Sequence, residues 1–180
     1  WNYKDELLQS THNDIQNSNT QYRYATDRQR VVKHRSISSN DVRKRIYFGE
    51  YELYLENDIV KLQSIHIMDD EERSCLIEQA VNQPNITSGV DRFQINNHLG
   101  SSSMELDTDA VIISYEEYHP YGTTSYHGPE KGVKSKRYRY TGMERDEESG
   151  LAYHTARYYV HWLGRWLSAD PIGVEGGLNL

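Results

Sequence analysis

The chain has 180 residues, a formal net charge of -7 and 36% hydrophobic residues, with acidic and basic side chains interspersed. No basic stripe is present, which argues against a nucleic-acid partner, and no apolar run is long enough for a transmembrane helix, which argues against direct membrane insertion. The single cysteine, Cys75, excludes an internal disulfide framework and a cysteine-cluster metal site.

Hydropathy and aromatic content point in different directions. The mean hydropathy of -0.86 is low for an independent globular domain, and low hydrophobicity is typical of disordered chains. Tyrosine, however, accounts for 15 residues, and tyrosine at this density is typical of strands with one solvated and one packed face. The composition therefore predicts an extended β surface over a thin core.

Three stretches alternate apolar and polar residues on either side of a polar turn, as β-hairpins do. They are YRYATDRQRVVKH (residues 22–34), RIYFGEYELYLEN (45–57) and SIHIMDDEERSCLIE (64–78). Residues 71–83 also have helix-forming propensity, but Ile65, Ile67 and Cys75 follow the alternation of strands. We therefore predict antiparallel hairpins with little helix, and Cys75 as a small packed hydrophobic side chain.

Two later stretches are predicted to be loops. Residues 81–91 are rich in turn formers and contain the glycosylation sequon Asn85-Ile86-Thr87, which we interpret as a chance match. Residues 127–136 are basic and contain Gly and Pro.

A loose unit recurs along the chain: Tyr-x-Tyr, a polar turn and an apolar strand. Units this small bury their faces only by stacking on neighbours, so the sheet is expected to extend beyond this chain. The chain starts at Trp1 without a methionine or a signal peptide. We expect it to be a piece of a longer polypeptide.

The hairpins and the last third of the chain together resemble the Rhs/YD-repeat proteins, and specifically their Rhs-repeat-associated core. The resemblance rests on YRYATDRQRVVK, NNHLGSSSMELD, YEEYHPYGTTSY, RYTGMERDEESGLAYHTARYY and LGRWLSADPIGVEGGLNL. The Gly-Arg-Trp-Leu-Ser-Ala-Asp-Pro run and the Gly-Leu-Asn-Leu ending look most like the C component of bacterial Tc insecticidal toxin complexes. Other Rhs polymorphic toxins are the second match.

The resemblance implies a mainly β fold, a hollow spiralling shell of YD-repeat hairpins (residues 1–135) closed by an Rhs core plug (residues 136–180). Such a shell encloses a hypervariable C-terminal toxin and is completed by a B component or by an N-terminal Rhs part. An A-component translocation pore is an indirect partner, and the complex is secreted or exported. No cofactor is expected.

The family also implies an autoprotease of aspartic type that cuts the toxin free inside the shell. Such hydrolysis needs two carboxylates that share a proton beside an activated water. Asp170 is the first candidate, because Pro171 restricts the backbone that carries it, and Asp146, in a turn closed by Gly150, is the second. Each also has a plainer interpretation: Asp170 as the cap of the turn that ends at Gly173, and Asp146 as a solvated turn acid.

Two arginines are candidates for supporting these carboxylates. Arg145 precedes the second aspartate and would tune the pair. Arg165 would orient a carboxylate through a bidentate contact, or it would stack between Trp162 and Trp166.

Other chemistries are disfavoured by the residue pattern. Many family members carry Asp-Pro where this chain has Val160-His161, a departure that removes one potential acid. The Ser101-Ser102-Ser103 run lacks a nucleophile elbow, which argues against a serine hydrolase. The histidines without metal-ligand spacing, which argue against a zinc site, are His98, His119, His127, His154 and His161.

Leu180 is the predicted cleavage site, with the cut on its C-terminal side or within a few residues. Gly176-Gly177 would admit the strand to a crowded site, and Leu178 and Leu180 would share one face of it. The alternative is that the end of the chain marks no cut. The alternative function is a structural, carbohydrate-binding or adhesin-like YD-repeat module without catalysis, although the scarcity of cysteines counts against an adhesin.

Overall fold

The computed structural model describes residues 1–12, 18–70, 72–82, 89–128 and 134–173. Its larger sheet has 11 strands, all antiparallel, and each strand pairs with its neighbours in sequence. The strands are β1 (Gln9–His12), β2 (Ser18–Tyr24), β3 (Arg30–Ser38), β4 (Asp41–Phe48), β5 (Tyr51–Glu56), β6 (Ile59–Asp69), β7 (Glu72–Ala80), β8 (Val90–Asn96), β9 (Ser102–Leu106), β10 (Ile112–Tyr118) and β11 (Thr124–His127). The sheet is open, with β1 and β11 at its edges. The predicted antiparallel β architecture is confirmed.

The predicted hairpins correspond to β2–β3, β4–β5 and β6–β7. The helical alternative for residues 71–83 is wrong where the structure describes them, because β7 pairs along its length with β6. Cys75 lies opposite Ile67 on β6 and Phe93 on β8, and its side chain is buried. The last two residues of the predicted loop at 81–91 belong to strand β8. The sequon lies outside the described residues.

A second, smaller sheet comes later in the chain. It contains β12 (Glu144–Arg145), β13 (Ala152–His154), β14 (Arg157–Val160) and β15 (Arg165–Trp166), paired in that order and all antiparallel. Residues 134–143, here called the linking segment, connect the two sheets and include a 3-10 turn at Tyr140–Gly142. The part of the chain that the structure describes has no helix long and apolar enough to cross a membrane.

The larger sheet exposes apolar side chains on one face and buries charged side chains on the other, the reverse of an ordinary core. On one face Ile65, Phe93 and Ile95 remain 43%, 44% and 46% exposed. On the other face Glu52 and Arg92 are only 1% and 2% exposed. The face that the rest of the chain covers is therefore the charged one.

The linking segment covers this charged face because the segment is basic. Arg137 pairs with Glu52 at 2.7 Å and Arg139 pairs with Glu116 at 3.0 Å. The hydroxyl of Tyr138 donates to the Glu52 carboxylate as well. Buried carboxylates of the sheet thus receive cationic and hydroxyl donors, which offset the desolvation cost of burying a charge.

A small tyrosine-rich core joins the second sheet to the start of the first. Its buried members are Leu7, Tyr22, Leu151, Tyr158 and Val160. The rings of Tyr22 and Tyr158 lie 5.8 Å apart at 58°, a tilted geometry that aromatic pairs favour. The predicted thin core is this cluster, and the hydroxyl ends of its tyrosines reach into the charged site described below.

Gly122 lies where any side chain would clash with its neighbours. It has φ of +83°, and a Cβ added there would lie 2.5 Å from Tyr140 Cδ1 and 2.6 Å from His161 Nδ1. Gly49 has a similar φ of +62° but open space around it.

We therefore expect Gly122→Ala to lower the free energy of unfolding by about 1–3 kcal/mol more than Gly49→Ala does, since only the first adds overpacking to backbone strain. Urea unfolding of the two variants measures the difference. Equal losses of unfolding free energy would show that the Tyr140 and His161 rings move aside at no cost.

Candidate functional site

One of the two candidate carboxylates, Asp146, is buried between the two sheets. It comes directly after β12, and its backbone N–H donates to Leu151 O at 2.8 Å while its carbonyl accepts from Gly150 N–H at 2.7 Å. This turn points the side chain inward, where its exposure is 0%. Asp146 is therefore not the solvated turn acid of the plainer interpretation.

Two cations from β3 meet Asp146. Arg30 Nη1 lies 2.8 Å from Oδ2, and Lys33 Nζ lies 2.7 Å from Oδ1. Arg30 also pairs with Glu144 at 2.6 Å, and Lys33 lies 3.4 Å from Glu148. Arg137 pairs with Glu144 at 2.9 Å as well, so the result is a buried cluster of three carboxylates and three cations.

The electrostatics of this cluster favour ionised side chains. Burial alone would raise the pKa of Glu144, but Lys33, Arg30 and Arg137 together hold it well below its usual value. Burial likewise opposes the charge of Lys33, yet the neighbouring carboxylates, Asp146 first among them, raise its pKa. A carboxylate kept ionised in this way has the charge state of the base in a pair of catalytic acids.

Aromatic hydroxyls complete the cluster. Tyr158 Oη accepts from Arg30 Nη1 at 3.2 Å and lies 3.0 Å from the hydroxyl of Tyr24. Burial raises the pKa of Tyr158 well above its usual value, so this hydroxyl keeps its proton. Tyr153 Oη accepts from the backbone N–H of Arg30 at 2.7 Å.

The other candidate carboxylate, Asp170, sits near the surface. Its Oδ1 accepts from Ile172 N–H at 2.9 Å, and Gly173 N–H donates to its carbonyl at 2.8 Å, so Pro171 and Ile172 form a tight turn. Gly173 has φ of +65°, which suits glycine. These are the contacts of the turn-capping interpretation.

The free oxygen of Asp170 is also occupied. Arg157 Nη2 lies 2.8 Å from Oδ2, and the Arg157 guanidinium stacks on the Trp166 ring at 4.0 Å. The sequence predicted that Arg165 would either orient a carboxylate or stack on tryptophan rings. Arg165 does neither among the described residues, because it has no ion pair with a carboxylate and lies over no ring. Arg157 holds this place because β14 pairs with β15.

The structure does not bring the two aspartates together. Successive side chains of a strand point to opposite faces, and on β14 Tyr158 contacts the Arg30 and Asp146 side while Arg157 contacts Asp170. The two carboxylates therefore lie on opposite sides of the small sheet, each with its own cationic partners.

The other candidate residues from the sequence make no side-chain hydrogen bond or ion pair with either aspartate where the structure describes them. Arg145 is half-buried and makes no ion pair with a described carboxylate, so it does not contact its neighbour Asp146. Val160, where many family members have Asp, is part of the tyrosine-rich core, and the His161 ring lies edge-on to Tyr140 at 5.8 Å. Leu180 and the Gly176-Gly177 pair lie outside the described residues.

His154 packs beside the Arg157 and Asp170 side of the small sheet. Its ring meets Trp166 edge-on at 5.0 Å, and burial, reinforced by His161 and Arg157, lowers its pKa to about 4. Between pH 6.5 and about pH 4, His154 is therefore protonated in the unfolded chain but neutral in the folded chain.

We expect stability to fall by roughly 3 kcal/mol as the pH drops from 6.5 to 4, on account of His154. His154→Phe should flatten this part of the profile, and His98→Phe, at an exposed position, should not. Urea unfolding across this range measures both. Parallel profiles for the two variants would contradict the assignment.

Sequence reasoning missed the residues that surround Asp146. The run Glu-Arg-Asp-Glu-Glu was a visible signal for Glu144 and Glu148. Arg30 carried no such signal, because it is 116 residues from Asp146 in the chain. Among the described residues no group of three or more His, Cys, Asp or Glu side chains is arranged to hold a metal ion.

No family model matches the chain. The toxin subunit YenC1 of Yersinia entomophaga is 34% identical over 194 residues, which cover 100% of this chain and 20% of that protein.

Solved structures agree in fold over the whole chain. The crystal structure of TcdB2-TccC3-TEV is similar with a TM-score of 0.87 and 34% sequence identity, and TcdB2-TccC3 without its hypervariable C-terminal region with 0.84 and 32%. Each match covers 100% of this chain but only 9% of the solved chain. The chain thus corresponds to a small part of much longer proteins.

Proposed function

Because the chain belongs to the Rhs/YD-repeat proteins of the Tc toxin C-component type, we propose that it is the closing part of a shell that encloses a toxin. The observation that carries this proposal is the covered charged face. The linking segment and the small sheet lie against the open sheet through buried ion pairs, as a plug fixed to a wall would. The likeness to TcdB2-TccC3 over the full length of the chain supports it.

The open edges of the sheet support a shell that continues beyond this chain. β1 and β11 each have one unpaired side among the described strands. Unpaired strand edges invite pairing with further strands. In the proposal a B component, or an N-terminal Rhs part, supplies those strands, and an A-component pore receives the contents. The complex acts as an exported bacterial toxin.

The content of the shell is proposed to be a hypervariable toxin on the C-terminal side of Leu180. The solved structure of TcdB2-TccC3 without its hypervariable C-terminal region still matches this chain along its whole length. The fold in that relative therefore persists when the hypervariable region is absent.

Release of the toxin is proposed to be self-cleavage by Asp170 and Asp146. The water oxygen adds to the scissile carbonyl carbon, one carboxylate takes the water proton, and the other protonates the leaving nitrogen as the C–N bond breaks. Asp146, which pairs with Arg30 at 2.8 Å and with Lys33 at 2.7 Å, would be the base. Asp170 would be the acid.

This assignment requires a rearrangement, since the carboxylates lie on opposite sides of the small sheet. The Arg157–Asp170 ion pair, at 2.8 Å and partly exposed, is the contact that would have to open. Its side chains are only 14% and 20% exposed, so opening the pair costs more than the roughly 0–1 kcal/mol that a surface ion pair contributes.

The test is whether a longer chain cuts itself. Gel mobility of a chain with residues beyond Leu180 should show two fragments after folding. A single uncut band would favour the second candidate, a structural YD-repeat module without catalysis. That candidate is supported by the ion pairs that occupy both aspartates.

A further inference from the structure

A cluster of cations on the covered face of the sheet is not balanced by carboxylates. Lys33 and Arg35 on β3 lie directly opposite Arg45 and Arg43 on β4, with their side chains on one face. Like charges directly opposite each other destabilise a strand pair. Arg145, from β12, lies over the same place and completes the cluster.

The carboxylates of the chain satisfy only some of these cations. Lys33 pairs with Asp146, Arg45 pairs with Glu52 at 3.0 Å, and Arg43 pairs at 3.2 Å with an exposed aspartate of its own strand. Arg35 and Arg145 pair with no described carboxylate. The charge of the pocket is therefore positive in a chain whose net charge is -7.

Arg35 is held in place without its full set of partners. Its Nη2 reaches Ser18 Oγ at 3.5 Å, a long contact, and its Nε is buried with no hydrogen-bond partner. A buried donor left unpaired costs free energy that an acceptor would recover. Burial, and then the nearby Arg139, lowers the pKa of Arg145 more than the negative charge of Glu116 raises it.

The cluster lines a small, partly open cavity of about 70 Å³, together with two acids, the exposed Glu147 and the buried Glu148, which lies 3.4 Å from Lys33. One water molecule takes up about 30 Å³ of the liquid, so the cavity has room for a group of several atoms. An adjoining cavity of about 830 Å³ shares Arg43, Arg45 and Arg145 with it. The larger cavity gives the smaller one a path of entry.

We propose that this pocket binds an oxyanion, gripped by the guanidinium groups of Arg35, Arg43 and Arg145. Guanidinium forks match the oxygens of phosphate and carboxylate groups and bind them in pairs. The ligand is either a free inorganic oxyanion or the carboxylate of an acidic polypeptide segment. Both present the same chemistry to the pocket. The proposal does not depend on the proposed self-cleavage, although Lys33 both lines the pocket and pairs with Asp146.

The test is calorimetric titration of the full chain with potassium phosphate at constant ionic strength. Saturable binding with one site per chain is expected. Arg35→Gln should weaken it at least tenfold, and Arg43→Gln serves as a second variant. Arg23→Gln is the matched control, because Arg23 is exposed on β2 and pairs with no described carboxylate; it should bind as the parent chain does.

A competing peptide identifies the source of the oxyanion. If a glutamate-rich hexapeptide displaces phosphate, and does so only when Arg35 is present, the ligand is a polypeptide carboxylate; if it does not, the ligand is a free ion. Absence of saturable phosphate binding would overturn the proposal. So would equal weakening by Arg35→Gln and Arg23→Gln, which would show general charge attraction only.

Discussion

Asp170→Asn is expected to abolish self-cleavage in a chain that continues beyond Leu180. The amide has nearly the volume of the carboxylate and still accepts the Ile172 N–H, so the turn should persist. It neither shares a proton nor donates one as an acid, and loss of general acid–base catalysis slows a reaction by roughly 10²–10⁴-fold. Processing followed on a gel should therefore be undetectable over times in which the parent chain is fully cut.

The control for Asp170 is a second aspartate with the same local structure. Asp107 Oδ1 also accepts backbone N–H groups, from Asp109 and Val111, each at 2.9 Å. Asp107→Asn should leave cleavage at the parent rate. Full-speed processing of the Asp170→Asn chain would refute the aspartic mechanism.

Asp146→Asn is expected to lower the free energy of unfolding by about 3–5 kcal/mol, the usual consequence of removing one partner from a buried ion pair. The change leaves Arg30 and Lys33 with less negative charge in a site that excludes water. Urea unfolding of the variant and the parent chain measures the loss. A loss below about 1 kcal/mol would place Asp146 in a solvated surface turn instead.

A double variant separates stability from catalysis. Lys33→Met removes the cation nearest to Asp146 while keeping a linear side chain, so Asp146→Asn with Lys33→Met should recover much of the lost stability. If Asp146 is the base, the double variant stays uncut although it is stable. Cleavage that returns together with stability would show that Asp146 only anchors the plug.

The hairpins could be predicted because side chains along a strand alternate between its two faces, so that apolar and polar residues alternate in the sequence with a period of two. Ile65, Ile67 and Cys75 follow that period, and the structure has them on paired strands. The period does not tell which face the rest of the chain covers. Glu52 is buried and Ile65 exposed because a basic segment far along the chain covers the face that carries Glu52 and pairs with it.

The candidate site shows the same limit. Asp146 and Asp170 were recognised from local motifs and from family resemblance, and both have defined positions. Their partners were not recognised, because Arg30 approaches through the tertiary fold. For Asp170 the sequence pointed to Arg165, yet strand pairing puts Arg157 beside it. Distances along the chain carry no information about such contacts.

Intact-mass measurement of the processed N-terminal product tests the central claim, that this chain closes a shell and is cut from the toxin on its C-terminal side. We predict a product that ends at Leu180 or within a few residues of it, formed from the parent chain but not from Asp170→Asn. A chain that keeps its full mass, or a product that ends upstream at Val174 or many residues beyond Leu180, would contradict this claim.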